Sequence, residues 1–364
     1  MTSIAFLTCG RSDFSIYLPL IKELKNLDVS ISILAFGSHL SSKYGNSLQE
    51  IINIKPDHLI KINSLNKQFS QEDIALSMAD TLKKFANIWN KYQFDMVFAL
   101  GDRFEMFAAV ASGIPFNVRF AHLHGGEQTL GAIDDVFRHS ISAMSKIHFA
   151  STKQHADRVK EILGKKENVH NVGSLSLHNI NKGFLYTKKE FYKKFNIPNQ
   201  PFVLVTIHPE TIDLNNNEPL VNQSVEVLDE FEIMKVVTLP NNDTSADVVR
   251  NKLLMKKKSK DYIIFDSMGV KGYYSAIKFC KFMFGNSSSG IIESMYFKKN
   301  VMNLGNRQKG RQQNENVFNV PIDKTQIRKT FKELIGKSAC SGNDLFFKKN
   351  GPKIVIKEVL KYLT

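Results

Sequence analysis

Cysteine is scarce in this chain. The three present, Cys9, Cys280 and Cys340, are an odd number, far apart and without zinc-ligand spacing. That speaks against a disulfide-stapled scaffold or a structural zinc site and for a reducing, cytoplasmic setting. Long apolar runs are also missing: no stretch approaches the roughly 18 residues that a bilayer span requires. The N-terminal segment Met1 to Thr8 reads as a short strand entering a turn, so neither a membrane anchor nor export is expected. Gly at 20 and Pro at 10, beside 43% apolar and 23% charged residues, exclude collagen-like, low-complexity and disordered classes. Acidic residues are the minority, 35 against 49 Lys and Arg, for a net charge of +14. The excess includes scattered lysines such as Lys188, Lys189, Lys193, Lys194 and Lys256 to Lys258, with no zinc-finger or RNP-type aromatic motif beside them. Nucleic acid is therefore not the expected partner, whereas a phosphate-bearing small substrate would profit from a positive field.

What is present is the rhythm of alternating strand and helix. Apolar runs at Ile4–Thr8, Ser30–Phe36, Met96–Leu100, Val118–Ala121 and Ile147–Ala150 are separated by segments of helical period such as Tyr17–Leu27, Ile74–Trp89 and Arg103–Ala111. A second series, Phe202–Ile207, Ile233–Thr238, Tyr262–Phe265, Phe282–Phe284 and Val301–Leu304, follows a polar stretch at 179–200. The 364 residues predict two α/β domains with doubly wound parallel sheets, 1–178 and 179–350, with 351–364 a final helix. Ligands of such sheets sit beyond the carboxyl ends of the strands, and the cleft between the domains is the expected site.

Polar motifs fall at those strand ends. Thr8-Cys9-Gly10-Arg11-Ser12-Asp13 is a turn into a helix, suited to a phosphate or carboxylate but lacking both the dinucleotide fingerprint and the P-loop. Gly101-Asp102-Arg103-Phe104-Glu105 places Asp102 at a helix start, where it serves either as a cap or as an acid. His122-Leu123-His124-Gly125-Gly126-Glu127, then Asp134-Asp135-Val136-Phe137-Arg138, cluster titratable groups beside paired glycines. His122 and His124 alternate and would share a strand face, without a clear third metal ligand. Asp134 and Arg138, four apart, have the spacing of a helical salt bridge. Clustered carboxylates split their pKa values, as proton transfer to and from carbon requires. In the second half His208-Pro209-Glu210 closes a strand, and Gly285-Asn286-Ser287-Ser288-Ser289-Gly290-Ile291-Ile292-Glu293 offers hydroxyls and amides to a diphosphate, with Glu293 within reach of a ribose. The loop from Asn303 to Arg311 supplies three cations, Arg307 among them.

As an ordered set over residues 4 to 320, these motifs, with Pro240-Asn241-Asn242-Asp243, resemble the hydrolysing UDP-N-acetylglucosamine 2-epimerases. The resemblance implies a glycosyltransferase-B-like architecture of two Rossmann-like domains, no cofactor and no metal, a C-terminal segment packing back on the first domain, and a homodimer or homotetramer. It implies that a UDP-activated 2-acetamido sugar loses UDP and its C2 proton to give a glycal, which water converts to the free manno-configured sugar for nonulosonic acid synthesis. Carried over position by position, Asp102, Asp134 and Asp135 match acid/base residues, Arg138 an organising arginine, and His208 a residue beside the leaving group. Arg11, Asp13, Arg103, Asn241, Asp243, Asn286, Ser287, Ser288, Ser289, Glu293 and Arg307 match the UDP site. Several relatives carry Glu where this chain has His124, and this chain has one more residue before the Asp-Asp pair, so either His124 or Glu127 takes that proton transfer. The His-containing version points to UDP-N,N′-diacetylbacillosamine, with UDP-N-acetylglucosamine open. The rival readings are a non-hydrolysing 2-epimerase, a glycosyltransferase of the same fold, and a nucleotide-sugar sensor without activity.

Overall fold

The computed structural model describes residues 1–364 apart from 41–46, 65–70, 129, 131–133, 181–183, 211–212 and 241–245, and apart from the side chains of 11, 12 and 47. The chain forms two units, each described by itself. The first comprises 1–127, 134–179 and 346–364, and the second 128–133 and 180–345.

In the first unit strands and helices alternate: β1 (Thr2–Thr8), α1 (Arg11–Leu24), β2 (Val29–Phe36), α2 (Ser47–Asn53), β3 (His58–Ile62), α3 (Gln71–Lys91), β4 (Met96–Leu100), α4 (Phe104–Gly113), β5 (Phe120–Leu123), α5 (Asp134–Met144), β6 (Ile147–Ala150), α6 (Lys153–Leu163) and β7 (Val169–Asn171). The strands pair in the order β3-β2-β1-β4-β5-β6-β7, every described pair parallel. Successive side chains of a strand face opposite ways, and here both faces are covered. Ile4 and Phe6 enter one core with Phe14, Leu20 and Phe98, while Ala5, Leu7 and Cys9 enter the other with Phe85, Trp89 and Met106. That is why β1 reads as an unbroken apolar run. Phe6 stacks on Phe98 with centroids 4.8 Å apart, and truncating such a buried ring to Ala costs about 3–5 kcal/mol. Winding reverses between β1 and β4, which leaves a crevice beyond their carboxyl ends.

The second unit repeats the plan with α7 (Lys188–Lys194), β8 (Phe202–Thr206), α8 (Asn217–Asp229), β9 (Met234–Thr238), α9 (Ala246–Leu254), β10 (Tyr262–Phe265), α10 (Gly269–Phe279), β11 (Met283–Gly285), α11 (Ser288–Ile292), β12 (Val301–Leu304), β13 (Val317–Val320) and α12 (Lys324–Gly336). Its parallel order β10-β9-β8-β11-β12-β13 reverses between β8 and β11. The chain then re-enters the first unit at Phe346, whose carbonyl accepts from Ser174 N at 2.6 Å. The last helix, α13 (Gly351–Leu363), buries Val355, Ile356 and Val359 with Leu20 and Leu24 of α1. The second unit also takes in 128–133, which the sequence-based boundaries assign to the first domain.

Candidate active site

Asp102 follows Gly101, whose positive φ of 72° turns the chain off β4. It is not the cap of α4, a place taken by Arg103 without a side-chain cap bond. Its carboxylate instead meets the Nη2 of Arg138, which is only 2% exposed. The same guanidinium donates from Nη1 to His124 O at 3.1 Å, and lies 3.6 Å from Glu127 Oε2 and 3.8 Å from Asp135 Oδ1. Burial opposes its charge, but Asp102, Glu127, Asp135 and Asp134 outweigh that and raise its pKa. The structure thus gathers Asp102, His124, Glu127, Asp134, Asp135 and Arg138 about one cation. On its own helix Arg138 contacts Asp135, three residues back, as well as feeling the field of Asp134 expected from the spacing.

The loop after β5 explains the paired glycines. A Cβ on Gly126, at φ 79°, would stand 2.1 Å from His155 O, so only glycine lets this loop lie against the first turn of α6. Arg158 Nη1 donates to Gly126 O at 2.9 Å and holds it there. Glu127 Oε1 is then 2.9 Å from His124 Nδ1 and accepts from Ser151 Oγ at 2.8 Å. His122 does not share a face with His124, contrary to the alternation read from sequence. Strand β5 ends at Leu123 and His124 has φ 63°, outside the strand. Both His122 ring nitrogens are engaged, with Ser142 Oγ at 3.0 Å and Gly101 O at 2.9 Å. Burial pushes its pKa down to about 3, so it is a neutral packing residue.

At the end of β1, Asp13 is buried and accepts from Cys9 N at 3.1 Å and Cys9 Sγ at 3.0 Å, a bond that ties the turn into α1. Its carboxyl is raised by burial. Arg11 stands in the first turn of α1, with its side chain outside the described residues. Arg103 is fixed by Glu105, Nε to Oε2 at 3.1 Å and Nη2 to Oε1 at 2.9 Å, while part of its side chain stays in solvent.

In the second unit the equivalent strand ends are locked by an amide. Asn286, fully buried, accepts from His208 N at 2.7 Å and donates to His208 O at 2.9 Å, clipping the end of β8 to that of β11. Gly285 permits this, since a Cβ there would sit 1.9 Å from Thr206 O. Burial, then Arg307, pushes His208 down to about 3, leaving its ring neutral. The Asn286 carbonyl accepts from Arg307 Nη1 at 3.3 Å and Gln308 Nε2 at 2.8 Å. Ser287 caps α11, its hydroxyl accepting from Ser289 N at 3.4 Å, and the Tyr273 phenol bonds Thr206, Ser287 and Ser289. Ser288 opens α11, and Glu293 ends it, largely buried. Glu210 Oε1 accepts from Asn306 N at 2.6 Å and so steadies the loop bearing Arg307. Asn241 and Asp243 lie outside the described residues.

Sequence reasoning passed over Ser151, His155, Glu210, Tyr273 and Gln308. Ser151, Glu210, Tyr273 and Gln308 pair with positions distant in the chain, which leaves no local pattern, and His155 enters through Ser151. Among the described residues no group of three or more His, Cys, Asp or Glu has metal-holding geometry, and no helix is long and apolar enough to cross a membrane.

Comparison with known proteins identifies the family and the fold. A family model described as UDP-N-acetylglucosamine 2-epimerase matches residues 22–356. The chain is 32% identical over 341 residues to the GDP/UDP-N,N′-diacetylbacillosamine 2-epimerase (hydrolyzing) of Campylobacter jejuni, covering 92% of this chain and 88% of that one. It is 30% identical over 331 residues to polysialic acid biosynthesis protein P7 of Escherichia coli, covering 90% and 84%. Its fold is that of the crystal structure of UDP-GlcNAc 2-epimerase from Neisseria meningitidis bound to UDP-GlcNAc, at a TM-score of 0.81, 16% identity and coverage of 99% and 100%.

Proposed function

The chain belongs to the UDP-N-acetylglucosamine 2-epimerase family, and from that premise we propose that it is a hydrolysing 2-epimerase of a UDP-activated 2-acetamido sugar, with UDP-N,N′-diacetylbacillosamine as the substrate. The observation that carries the reading is the set of acids and one histidine gathered on the buried Arg138. An enzyme that only binds or transfers a nucleotide sugar has no need of it. Epimerisation at C2 does: a base takes the C2 proton, the C2–H electrons form the C1–C2 double bond, and the C1–O electrons leave with UDP. Water then adds at C1 while an acid returns a proton to the other face of C2. Asp102, His124, Glu127, Asp134 and Asp135 supply these groups, and Arg138 fixes their geometry. In the second unit His208, neutral and buried, attends the departing diphosphate, with Arg307 and the Ser287, Ser288 and Ser289 hydroxyls holding it, and in the first unit Arg11 and Arg103 are nucleotide-sugar contacts that the resemblance implies. Glu293, Asn241 and Asp243 hold the nucleoside, while Asp13 and Asn286 act by shaping turns. The substrate assignment rests on the bacillosamine relatives and on His124 in place of Glu. The enzyme works in the cytoplasm as a homodimer or homotetramer in this reading.

The test is turnover in D2O followed by NMR, with UDP-N,N′-diacetylbacillosamine and UDP-N-acetylglucosamine supplied separately. The expected products are UDP and a free manno-configured sugar carrying deuterium at C2, formed faster from the diacetamido substrate. Intact UDP-sugar scrambled at C2 would indicate the non-hydrolysing reaction, and inertness until an acceptor is added would indicate a transferase.

A further inference from the structure

Resting on that reading, we propose that Nε2 of His124 is the atom that takes the proton from C2, and that Ser151 and His155 are positioning residues that fix it through Glu127. The argument follows the hydrogens. A carboxylate only accepts, so His124 Nδ1, 2.9 Å from Glu127 Oε1, carries the ring hydrogen. In the tautomer so fixed the lone pair is at Nε2. That atom is buried and has no hydrogen-bond partner among the described residues. A buried polar atom left unpaired costs about 1–3 kcal/mol, and chemistry is one of the few reasons to keep one.

The ring is held from both ends. Its backbone N donates to Phe149 O at 2.9 Å, its carbonyl accepts from Arg138, and its φ of 63° is unusual for a residue with a side chain. Glu127 is fixed in turn. Ser151 donates its hydroxyl hydrogen to Glu127 Oε1 at 2.8 Å, so its oxygen accepts from His155 Nδ1 at 2.9 Å. Burial pushes His155 down to about 4, which leaves a neutral ring with the hydrogen on Nδ1. Donation therefore runs from His155 to Ser151 to Glu127, and His124 donates to the same carboxylate from the other side. All four residues are buried. The scaffold enforces the order: Thr152 caps α6 and accepts from His155 N at 3.2 Å, while Gly126 brings the Glu127 loop against that turn.

During the reaction Nε2 takes the C2 proton, the C2–H electrons form the double bond, and the C1–O electrons leave with UDP. The imidazolium that results is balanced by Glu127, and it returns to neutral when Nε2 passes its proton to water once UDP has left, while a separate acid delivers a proton to the opposite face of C2. This arrangement needs Glu127 ionised and immobile, which is what the serine and the second histidine supply.

Proton–nitrogen correlation spectra of the full chain, labelled with 15N-histidine and assigned by the signal lost in His124→Gln, report which nitrogen bears the hydrogen. The expected result is the Nδ1–H form in the unmodified protein and a mixture of tautomers in Ser151→Ala. In the same Ser151→Ala protein kcat should fall ~10–100-fold, the effect of losing a hydrogen bond to a charged group, with KM within about twofold. Ser151→Thr, which keeps the hydroxyl, should restore most of the rate. His155→Asn, whose amide nitrogen lies near the place of Nδ1, should keep more than His155→Leu. An Nε2–H form in the unmodified protein overturns the proposal, even where a variant fails to fold. So does an unchanged kcat in folded Ser151→Ala. If the unmodified protein turns over no UDP-sugar, the functional reading fails, and the tautomer is still measured.

Discussion

In the first unit the candidate residues hold one another by charge: Asp102, Glu127 and Asp135 converge on Arg138, and His124 is caught between that guanidinium and Glu127. In the second unit side chains hold backbone. Asn286 clips both the N–H and the C=O of His208, and Glu210 holds the N–H of Asn306. On the proposed function the contrast separates two demands. Moving protons requires ionisable groups whose pKa values are set by one another. Gripping a nucleotide requires loops whose amides and hydroxyls stay where the fold puts them. A substitution in the first arrangement leaves a buried charge uncompensated, and one in the second loosens a loop.

The contrast can be broken from either side. Asp102→Asn should lower turnover by ~10²–10⁴-fold, the usual worth of an acid/base group, and also lower the melting temperature, because the buried Arg138 loses one of its anions. Unaltered kcat in a steady-state assay would remove Asp102 from the chemistry. Arg138→Met should destabilise the first unit by about 3–5 kcal/mol, because it abandons Asp102 and Glu127 without their cation. Urea unfolding followed at Trp89, which lies in that unit's core, reads this directly.

Acid sharpens the contrast further. Four buried histidines of the first unit, His39, His122, His148 and His155, are held at about 4, 3, 4 and 4 by burial, against His208 at about 3 in the second. Their unfolded values lie near 6.5. Below that pH the unfolded chain binds protons that the folded chain refuses, so stability falls as pH falls. The loss is ~1.4 kcal/mol per pH unit for each histidine until its folded value is reached. Hydrogen exchange from pH 7 to 5 should therefore show the first unit opening before the second. The smallest effect is Asn286→Ala, which strips partners from the His208 backbone and should cost the second unit about 1–3 kcal/mol by hydrogen exchange at neutral pH.

The central strands and the polar clusters were legible because buried parallel strands are continuous apolar runs and the candidate residues lie at their ends. The edge strands β3, β7 and β13 were missed, since each is partly exposed and lacks such a run. Strand β5 begins two residues later than its apolar pattern suggests, because Arg119 is still exposed and burial starts at Phe120. Asp102, Glu127 and Arg138 could be named as candidates from their motifs, but not their mutual contact, which joins β4, the β5 loop and α5. Ser151 and His155 were invisible for the same reason: a serine and a histidine four apart on a strand-to-helix turn carry no signal until Gly126 lays the neighbouring loop on them.

The division of labour is tested most directly by titrating UDP, in a calorimeter, into the unmodified protein, Asp102→Asn and Asn286→Ala. The account predicts equal affinity for the first two and binding about tenfold or more weaker for the third, the scale of one buried hydrogen-bonded clamp. Loss of UDP binding in Asp102→Asn together with full binding in Asn286→Ala would contradict it.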